Sequence, residues 1–342
     1  MGRGAAGFRR GRRVDPGSGV KPLVDWYRRG HRDLPWRRTQ DPYRIWVSEI
    51  MLQQTRAQAV IPYYQRFLDR FPTIEALASA AEQDVLALWA GLGYYSRARN
   101  LRRAAQQAVA SGGFPGDYAA IRELPGVGDY TAAAVASIAF GLRHAVVDGN
   151  VLRVVARMEN DSGDIAAPRT RDRFRTIVQD WMGRLQPGVF NQALMELGAT
   201  VCLPANPQCG DCPIARGCRA LAAGTVAQLP VKLRKIEPVA IAAVLLLVRR
   251  GDRVLLRQKE AGARRMAGFW ELPAPEELSG ARAGKCWGEF RHTITHHHYT
   301  FTVRSASVRT IGADFRWFSA GELAGIPLST TARKALKLAG FL

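Results

Sequence analysis

The segment Leu124–Phe140 reads LPGVGDYTAAAVASIAF, in which two glycines stand at a bend ahead of an alanine-rich run. Glycine permits close backbone approach, and the alanines favour a helix from about Tyr130. Backbone N–H groups at the start of such a helix point outward and suit a DNA phosphate. We therefore predict a phosphate-binding hairpin between two helices at Gly126, Val127 and Gly128. A plain helix-capping turn is the alternative.

A second candidate lies twenty residues downstream, where Asp148-Gly149-Asn150 follows an apolar run and precedes another helix. Asp148 fits the N-cap of that helix, because its carboxylate accepts from backbone N–H groups. A carboxylate between a hairpin and a metal loop also suits a developing positive charge. The segment therefore offers both an N-cap and a candidate catalytic group.

Four of the five cysteines fall within 17 residues with the spacing C-x6-C-x2-C-x5-C: Cys202, Cys209, Cys212 and Cys218. Such crowding indicates a shared metal centre. Structural zinc usually takes two close cysteine pairs, and only one close pair is present here, so we predict ligation of a 4Fe-4S cluster. Zinc and disulfides are the alternatives. The fifth, Cys286, is predicted to be a small core hydrophobe.

The region from Val20 to about Arg219 reads as helices with short breaks rich in Gly and Pro, which predicts an all-α domain. Asp41-Pro42 is predicted to open one helix as N-cap and first-turn proline, with Glu49 on its apolar face. Partial desolvation there is expected to keep a proton on Glu49. Further helices are predicted near residues 57–70, 80–90, 96–111, 130–140, 151–158 and 171–185.

The hydrophobic period changes after residue 238. Val239–Val248 and Val254–Gln258 flank the turn Arg250-Gly251-Asp252 and predict a β-hairpin, while Tyr299–Val308 alternates like a further strand. The second domain is therefore predicted to be α+β. The predicted boundaries are a basic flexible arm at 1–20, a helical domain at 21–218, a linker at 219–237 and the α+β domain at 238–342.

The 342 residues carry a net charge of +20 that is spread over the chain, with +4 in residues 1–20, +9 in 21–236 and +7 in 237–342. This surplus favours a polyanionic partner, and nucleic acid is the commonest one; a generally basic surface is the alternative. The composition is that of a globular protein, not of a fibre or a disulfide scaffold. The longest apolar run is about half of a membrane span, so we expect no membrane association. We also expect a monomer.

Together, the hairpin, Asp148 and the cysteine loop resemble the endonuclease III superfamily of DNA glycosylases. Within it, the MutY-type adenine DNA glycosylases have signatures similar to Leu34-Pro35-Trp36, Ser48–Thr55 and Gly91–Arg97. The resemblance covers about Leu23 to Cys218, and the last domain is similar to that family's 8-oxoguanine-recognition domain. It implies an all-α helix-hairpin-helix glycosylase domain with a 4Fe-4S loop, followed by a Nudix-like α+β domain.

The resemblance also assigns catalytic roles. Glu49 is implied as the general acid that protonates adenine N7 and later assists the incoming water. Asp148 is implied to stabilise the sugar cation or to bond to it transiently. Tyr130 and Asn150 occupy matching supporting positions.

Binding roles follow in the same way. Trp36, Arg37 and Glu196 are implied to shape the adenine pocket, although Glu196 also fits an ordinary helix position. Gln54 and Tyr94 match residues that wedge beside the opposite base, with a core aromatic as the alternative for Tyr94. Thr295 and His296 fall where the family reads 8-oxoguanine with Phe-Ser-His, but Ile294 lacks the aromatic ring.

The resemblance thus implies a monofunctional adenine DNA glycosylase of base-excision repair. Its expected substrate is double-stranded DNA with adenine opposite 8-oxoguanine or guanine, and the adenine is flipped out before hydrolysis. Tyr130 stands where endonuclease III-like enzymes place a Schiff-base lysine, so no strong lyase activity is expected. No Glu-rich magnesium helix follows Trp270-Glu271-Leu272-Pro273, so the last domain is expected to bind rather than hydrolyse.

Two other functions fit parts of the sequence: a bifunctional oxidised-pyrimidine glycosylase, and a redox-sensing DNA-binding protein in which Glu49 and Asp148 are incidental. The expected location is the cytoplasm, with the nucleoid, if the chain is bacterial. The arginine-rich amino terminus leaves organellar targeting open.

Overall fold

The structure is a computed structural model that describes residues 20–233, 237–260 and 266–342. Nearly all of the predicted basic arm and part of the predicted linker lie outside these residues. The described chain divides into two compact units. The first unit takes in the described parts of residues 1–46, 116–123 and 127–234, and the second takes in those of 47–115, 124–126 and 235–342. The domain boundaries drawn from the sequence stay predictions.

Helices account for most of the chain up to residue 222. Their bounds are α1 Lys21–Gly30, α2 Pro42–Leu52, α3 Ala57–Arg70, α4 Ile74–Ser79, α5 Glu82–Trp89, α6 Ser96–Ala110, α7 Tyr118–Arg122, α8 Asp129–Phe140, α9 Gly149–Glu159, α10 Pro168–Met182, α11 Pro187–Thr200 and α12 Arg219–Ala222.

Every helix predicted from periodicity is present, with ends shifted by at most a few residues. The start of α2 is as predicted, since the Asp41 Oδ1 accepts from the N–H of Arg44 at 3.1 Å. Helix α11 escaped prediction because it is buried almost all round and therefore lacks an amphipathic stripe. Helices α4 and α7 are only six and five residues long, too short for a periodic signal.

The first unit is built around α9 and α11. Val151, Val155, Phe190 and Leu194 are buried in one cluster, against which α1 and α10 also pack. Small residues bring α8 close to α11: a Cβ on Gly188 would lie 2.8 Å from the carbonyl oxygen of Ser137. This packing holds the start of α9 and the buried side of α11 in fixed positions, and both carry candidate site residues.

The second unit contains a six-stranded sheet. Its strands are β1 Val239–Arg250, β2 Arg253–Gln258, β3 Trp270–Glu271, β4 Arg282–Ile294, β5 His297–Ser307 and β6 Phe315–Ser319, followed by helix α13 Thr330–Leu338. The order is β3-β2-β1-β5-β4, and β6 pairs with β2. The predicted β1–β2 hairpin forms, with Arg250 opposite Arg253.

The main partner of β1 is β5, which pairs with it in parallel from Val239↔His297 to Val248↔Ala306. Alternate residues of β1 enter two cores: Leu245 and Leu247 face α13, whereas Leu246 and Val248 enter a smaller cluster on the other side. The α+β prediction is thus confirmed. The prediction for Cys286 is wrong, because this residue lies exposed on β4, where the strand has irregular register.

Among the described residues, no helix has both the length and the apolar character needed to cross a membrane.

Candidate active site

Asp148 caps α9 and is also tied to a neighbouring amide. Its Oδ1 accepts from the N–H of Val151 at 2.7 Å, and its Oδ2 accepts from the Nδ2 of Asn150 at 2.9 Å. Burial raises the pKa of Asp148 above its ordinary value, against the lowering effect of these bonds and of the charge on Arg153. The structure therefore confirms the N-cap and adds a carboxylate with restricted access to water.

Asn150 is held in turn by Arg153, which the sequence analysis missed. The Nη2 of Arg153 donates to the Oδ1 of Asn150 at 2.9 Å and to the carbonyl of Gly198 at 2.7 Å. Its Nε donates to the carbonyl of Cys202 at 2.7 Å. A continuous chain of hydrogen bonds thus joins Asp148 to the cysteine loop. Gly198 permits this approach, since a Cβ there would lie 2.6 Å from the Cβ of Asn150.

Tyr130 lies in the first turn of α8, beside the small apolar cluster that contains Ala133, Ala134 and Val146. Its hydroxyl donates to the Sδ of Met195 at 3.6 Å. The side chain is half-buried, and the contact with Met195 orients its phenol group.

Glu196 is not an ordinary surface helix residue. It is 2% exposed, and its carboxylate accepts from Arg32 through Nε at 2.9 Å and through Nη2 at 2.7 Å. Arg37 donates to the same Oε2 through Nη2 at 2.7 Å. Burial alone would raise the pKa of Glu196, but the hydrogen bonds and charges of both arginines outweigh it and lower the pKa to about 2.

Both arginines lie in the short segment that follows α1, and both reach Glu196 from there. Arg37 closes the 3-10 turn Pro35–Arg37, in which Trp36 is buried, and its guanidinium lies 5.3 Å from the centre of the Tyr27 ring. The structure thus brings Arg37 and Glu196 together, as the resemblance implied. No sequence motif pointed to Arg32.

Glu49 lies on α2 in the second unit and is 4% exposed, between the buried Ser48 and Ile50. Its helix also buries Ile45, four residues earlier, so the apolar face predicted from the sequence is present. This burial is what the predicted desolvation of Glu49 requires.

The two glycines of the hairpin, Gly126 and Gly128, differ in backbone conformation and in role. Gly126 has φ of +78°, and a Cβ there would come within 2.7 Å of the Cβ of Asn100, so both the backbone and the space demand glycine. Gly128 is the extended N-cap residue of α8, and its carbonyl accepts from the N–H of Ala132 at 2.9 Å. Val127 between them is buried. The predicted turn and helix start are present; phosphate binding stays a prediction.

Gln54 and Tyr94 both have left-handed backbones, with φ of 60° and 49°. Gln54 is exposed and Tyr94 is 44% exposed, whereas the neighbouring Tyr95 is buried against Phe269. Tyr94 is therefore not a core aromatic. Both residues stand in loops where a side chain is free to project, as a wedge requires.

The four cysteines of the predicted metal loop, which form no disulfide, line one cavity in the first unit together with Arg157 and mostly apolar side chains. Arg157 is 2% exposed, and its Nη1 donates to the Sγ of Cys202 at 3.3 Å and to the carbonyl of Leu203 at 2.7 Å. The thiol of Cys218 donates to the carbonyl of Arg157 at 3.5 Å. This arginine therefore organises the loop.

This donor set consists of four thiols that line one cavity, and thiolates are the ligands that an iron-sulfur cluster takes. Among the described residues, no three His, Cys, Asp or Glu side chains form a group that could hold a metal ion. The identity of the metal centre stays a prediction. Burial, with the neighbouring thiols, raises the pKa of Cys212 to about 11. A thiolate at Cys212 is therefore favoured only beside a cationic centre.

Thr295 and His296 form the turn between β4 and β5. Thr295 is exposed with φ of 56°, and its hydroxyl donates to the carbonyl of Ile294 at 2.6 Å. The tip of this hairpin is thus accessible, and His297 and His298 continue into β5.

Carboxylates in the region where a Nudix hydrolase would hold magnesium are paired with cations here. Glu277 accepts from the Nζ of Lys259 at 2.5 Å and from Arg257 at 2.6 Å. Glu271 is half-buried 3.8 Å from Lys259, and burial raises its pKa. Such pairing leaves little negative charge for a divalent cation.

Comparison with known proteins agrees with this architecture. Residues 47–180 match the family described as HhH-GPD superfamily base excision DNA repair protein, and residues 243–338 match the family described as NUDIX domain. A thermostable thymine-DNA glycosylase of known structure superimposes with a TM-score of 0.54 and 29% identity, covering 61% of this chain and 97% of that one.

The helical part of the chain therefore contains a domain of the HhH-GPD superfamily of base excision DNA repair proteins at residues 47–180, and a Nudix-like domain follows it. Within this superfamily the chain is a relative of the adenine DNA glycosylases, which confirms the resemblance seen in the sequence.

Two of these relatives show the extent of the match. The adenine DNA glycosylase of Arabidopsis thaliana is 38% identical over 294 residues, which are 74% of this chain and 46% of the relative. That of Homo sapiens is 46% identical over 209 residues, which are 58% of this chain and 38% of the relative. The chain thus spans less than half the length of either.

Proposed function

We propose that this chain is a monofunctional adenine DNA glycosylase of base-excision repair that acts on adenine opposite 8-oxoguanine or guanine in duplex DNA. The observation that carries the proposal is Asp148, a half-buried carboxylate that is oriented by the N–H of Val151 and by Asn150 and that follows a helical hairpin with Tyr130, not an amine, in its second helix. The relatives named adenine DNA glycosylase support adenine as the base.

The chemistry requires a proton for the departing adenine and negative charge beside the sugar. Glu49 is the proposed proton donor to N7, and its burial restricts exchange of that proton with bulk water. Asp148 is proposed to stabilise the oxocarbenium-like sugar, because a carboxylate with limited access to water interacts strongly with a developing positive charge. Glu49 then assists the water that attacks the sugar.

Recognition of the flipped adenine is assigned to the Glu196 cluster. Arg32 and Arg37 keep the Glu196 carboxylate ionised and fixed. A fixed anion and oriented guanidinium groups suit the donor and acceptor edges of a purine, and Trp36 adds an apolar surface. Gln54 and Tyr94 are proposed to fill the gap that the extruded adenine leaves.

The cysteines of the loop, Cys202, Cys209, Cys212 and Cys218, are proposed to hold a 4Fe-4S cluster. When bound, the cluster crosslinks the loop through four thiolates. Around it, Arg157 fixes the loop carbonyls, and the exposed Arg216 is available for a phosphate. Arg219 is also exposed, and its Nη1 lies 2.6 Å from the Oε2 of Glu159.

The hairpin tip at Thr295 and His296 is proposed to read the base opposite adenine. Its hydroxyl and imidazole groups offer both donors and acceptors to an oxidised guanine, although Ile294 provides no aromatic ring for stacking. We therefore expect discrimination between 8-oxoguanine and guanine to depend on hydrogen bonds at this tip.

A single-turnover assay tests the proposal with duplexes that place adenine opposite 8-oxoguanine, guanine, cytosine or thymine. Adenine release from the first two is expected, and an absence of release from both would refute the assignment. Glu49→Gln is expected to abolish release; unchanged release would favour a non-enzymatic DNA-binding protein. Stoichiometric borohydride trapping on oxidised pyrimidines would favour the bifunctional alternative.

A further inference from the structure

Two exposed loops of the second unit hold residues in a conformation that side chains disfavour. Gln54 follows the end of α2, and Tyr94 lies between α5 and α6; their φ values are 60° and 49°. Left-handed backbone is uncommon for residues other than glycine and persists where the surroundings hold it. A nearby support for both loops is therefore expected.

Arg97 in the first turn of α6 supplies that support. Its side chain reaches away from solvent, and the residue is only 9% exposed. The guanidinium donates five hydrogen bonds to backbone carbonyls: from Nη1 to Ile50 at 2.7 Å, Met51 at 3.0 Å and Gln53 at 2.8 Å, and from Nη2 to Leu92 at 3.1 Å and Gly93 at 3.0 Å.

These bonds divide cleanly between the two loops. One nitrogen binds the end of α2 and the residue before Gln54, while the other binds the two residues before Tyr94. Arg97 also faces the Tyr94 ring, with its Cζ 5.7 Å from the ring centre. Its Cζ also lies 5.4 Å from the ring of the buried Trp89, whose Nε1 donates to the carbonyl of Gly93 at 3.2 Å.

A simple helix cap does not account for this arrangement. Capping α2 would explain the bonds to Ile50 and Met51, because the last carbonyls of a helix lack partners within it. It would not explain the bonds to Leu92 and Gly93. The planar fork of arginine suits two separate sets of acceptors, whereas lysine presents a compact point charge.

We propose that Arg97 is a positioning residue that ties the loop of Gln54 to the loop of Tyr94, so that both side chains enter the duplex together when adenine is extruded. This inference rests on the proposed function, which assigns the wedge to these two residues. Arg97 itself touches neither the substrate nor the reacting atoms.

The test is a double-mutant cycle on single-turnover release of adenine opposite 8-oxoguanine. Arg97→Lys is made in the natural sequence and in a chain that carries Gln54→Ala with Tyr94→Ala. We expect a loss of about tenfold or more in the natural sequence and less than about twofold in the wedge-deficient chain, because coupled residues are non-additive. The matched control is Arg103→Lys, an exposed arginine of the same helix that bonds to Asn100, with no expected loss.

Two further measurements separate positioning from a general loss of structure. Fluorescence of 2-aminopurine beside the adenine should show slower unstacking in Arg97→Lys. Hydrogen exchange should rise in residues 50–55 and 91–95 and stay unchanged in α9 and α11.

An equal loss in both backgrounds would overturn the proposal. So would a chain with Arg97→Lys that does not fold or that exchanges faster throughout, since Arg97 would then be a general core residue. If the natural sequence releases adenine, these results do not contradict the proposed function. A natural sequence without adenine release would instead refute the proposed function, and this inference with it.

Discussion

Replacing Glu196 by Gln tests the ion cluster at the proposed adenine pocket. The two arginines lower the pKa of this buried carboxyl from 4.5 to about 2. A carboxyl group whose pKa is lower in the folded than in the unfolded state stabilises the fold at any pH above its unfolded-state pKa. This contribution is lost as the pH falls through the folded-state pKa. At about 1.4 kcal/mol per pKa unit, the ionised form contributes about 3 kcal/mol at pH 7 and about 1 kcal/mol at pH 3.

The assay is urea unfolding of the natural and Glu196→Gln chains at pH 7 and pH 3. The variant should be less stable by about 3 kcal/mol at pH 7, and the difference should shrink to about 1 kcal/mol at pH 3. The matched control is Glu159→Gln, whose partner Arg219 is 69% exposed. An exposed pair should contribute less than about 1 kcal/mol.

The reasoning would be refuted by a Glu196→Gln difference below about 1 kcal/mol at pH 7, or by one that does not change with pH. The first result would mean that the gain from Arg32 and Arg37 only offsets the desolvation of the carboxylate. The second would mean that the difference does not come from ionisation of Glu196.

Three other predictions concern the residue at the hairpin helix, the cysteine loop and the β4–β5 hairpin tip at Thr295 and His296. Tyr130→Lys should give a covalent adduct with abasic DNA on borohydride treatment, because an amine would then stand at the hairpin helix. Cys212→Ser should remove the visible absorption of the iron-sulfur cluster and lower the melting temperature, whereas the exposed Cys286→Ser should change neither. Thr295→Ala should lower the rate for adenine opposite 8-oxoguanine by about tenfold relative to adenine opposite guanine, by loss of a hydrogen bond.

Each of these has a result that counts against it. For Tyr130→Lys, it is trapping no stronger than with the natural tyrosine. For the cysteines, full absorption after Cys212→Ser would exclude this residue as a ligand. For Thr295→Ala, equal loss on both mispairs would assign the residue to general DNA binding.

Local features were readable from the chain alone. The spacing of the four cysteines, the glycine bend before α8 and the Asp-Gly-Asn segment all depend on residues close in sequence, and the structure shows the corresponding cavity, turn and N-cap. Helix α3 occupies the predicted residues because its buried side chains, Val60, Tyr64 and Phe67, recur at helical spacing.

Long-range pairing was beyond such reasoning. The hairpin of β1 and β2 was predicted from adjacent strands, but the longer parallel pairing of β1 with β5 joins residues about 58 positions apart, as in Val239↔His297. Strand β4 was missed because its first five residues are exposed throughout and its register shifts near Cys286, so that an alternating pattern covers only its second half.

By itself, then, the sequence determined the family, the type of fold and the residues whose chemistry shows in short motifs, because spacing along one helix or loop already brings their groups together. Only the tertiary structure decided which arginines support them. Arg32, Arg97, Arg153 and Arg157 bind carbonyls or carboxylates far along the chain. A backbone carbonyl has no signature in sequence, so these partners become visible only when distant segments pack against each other.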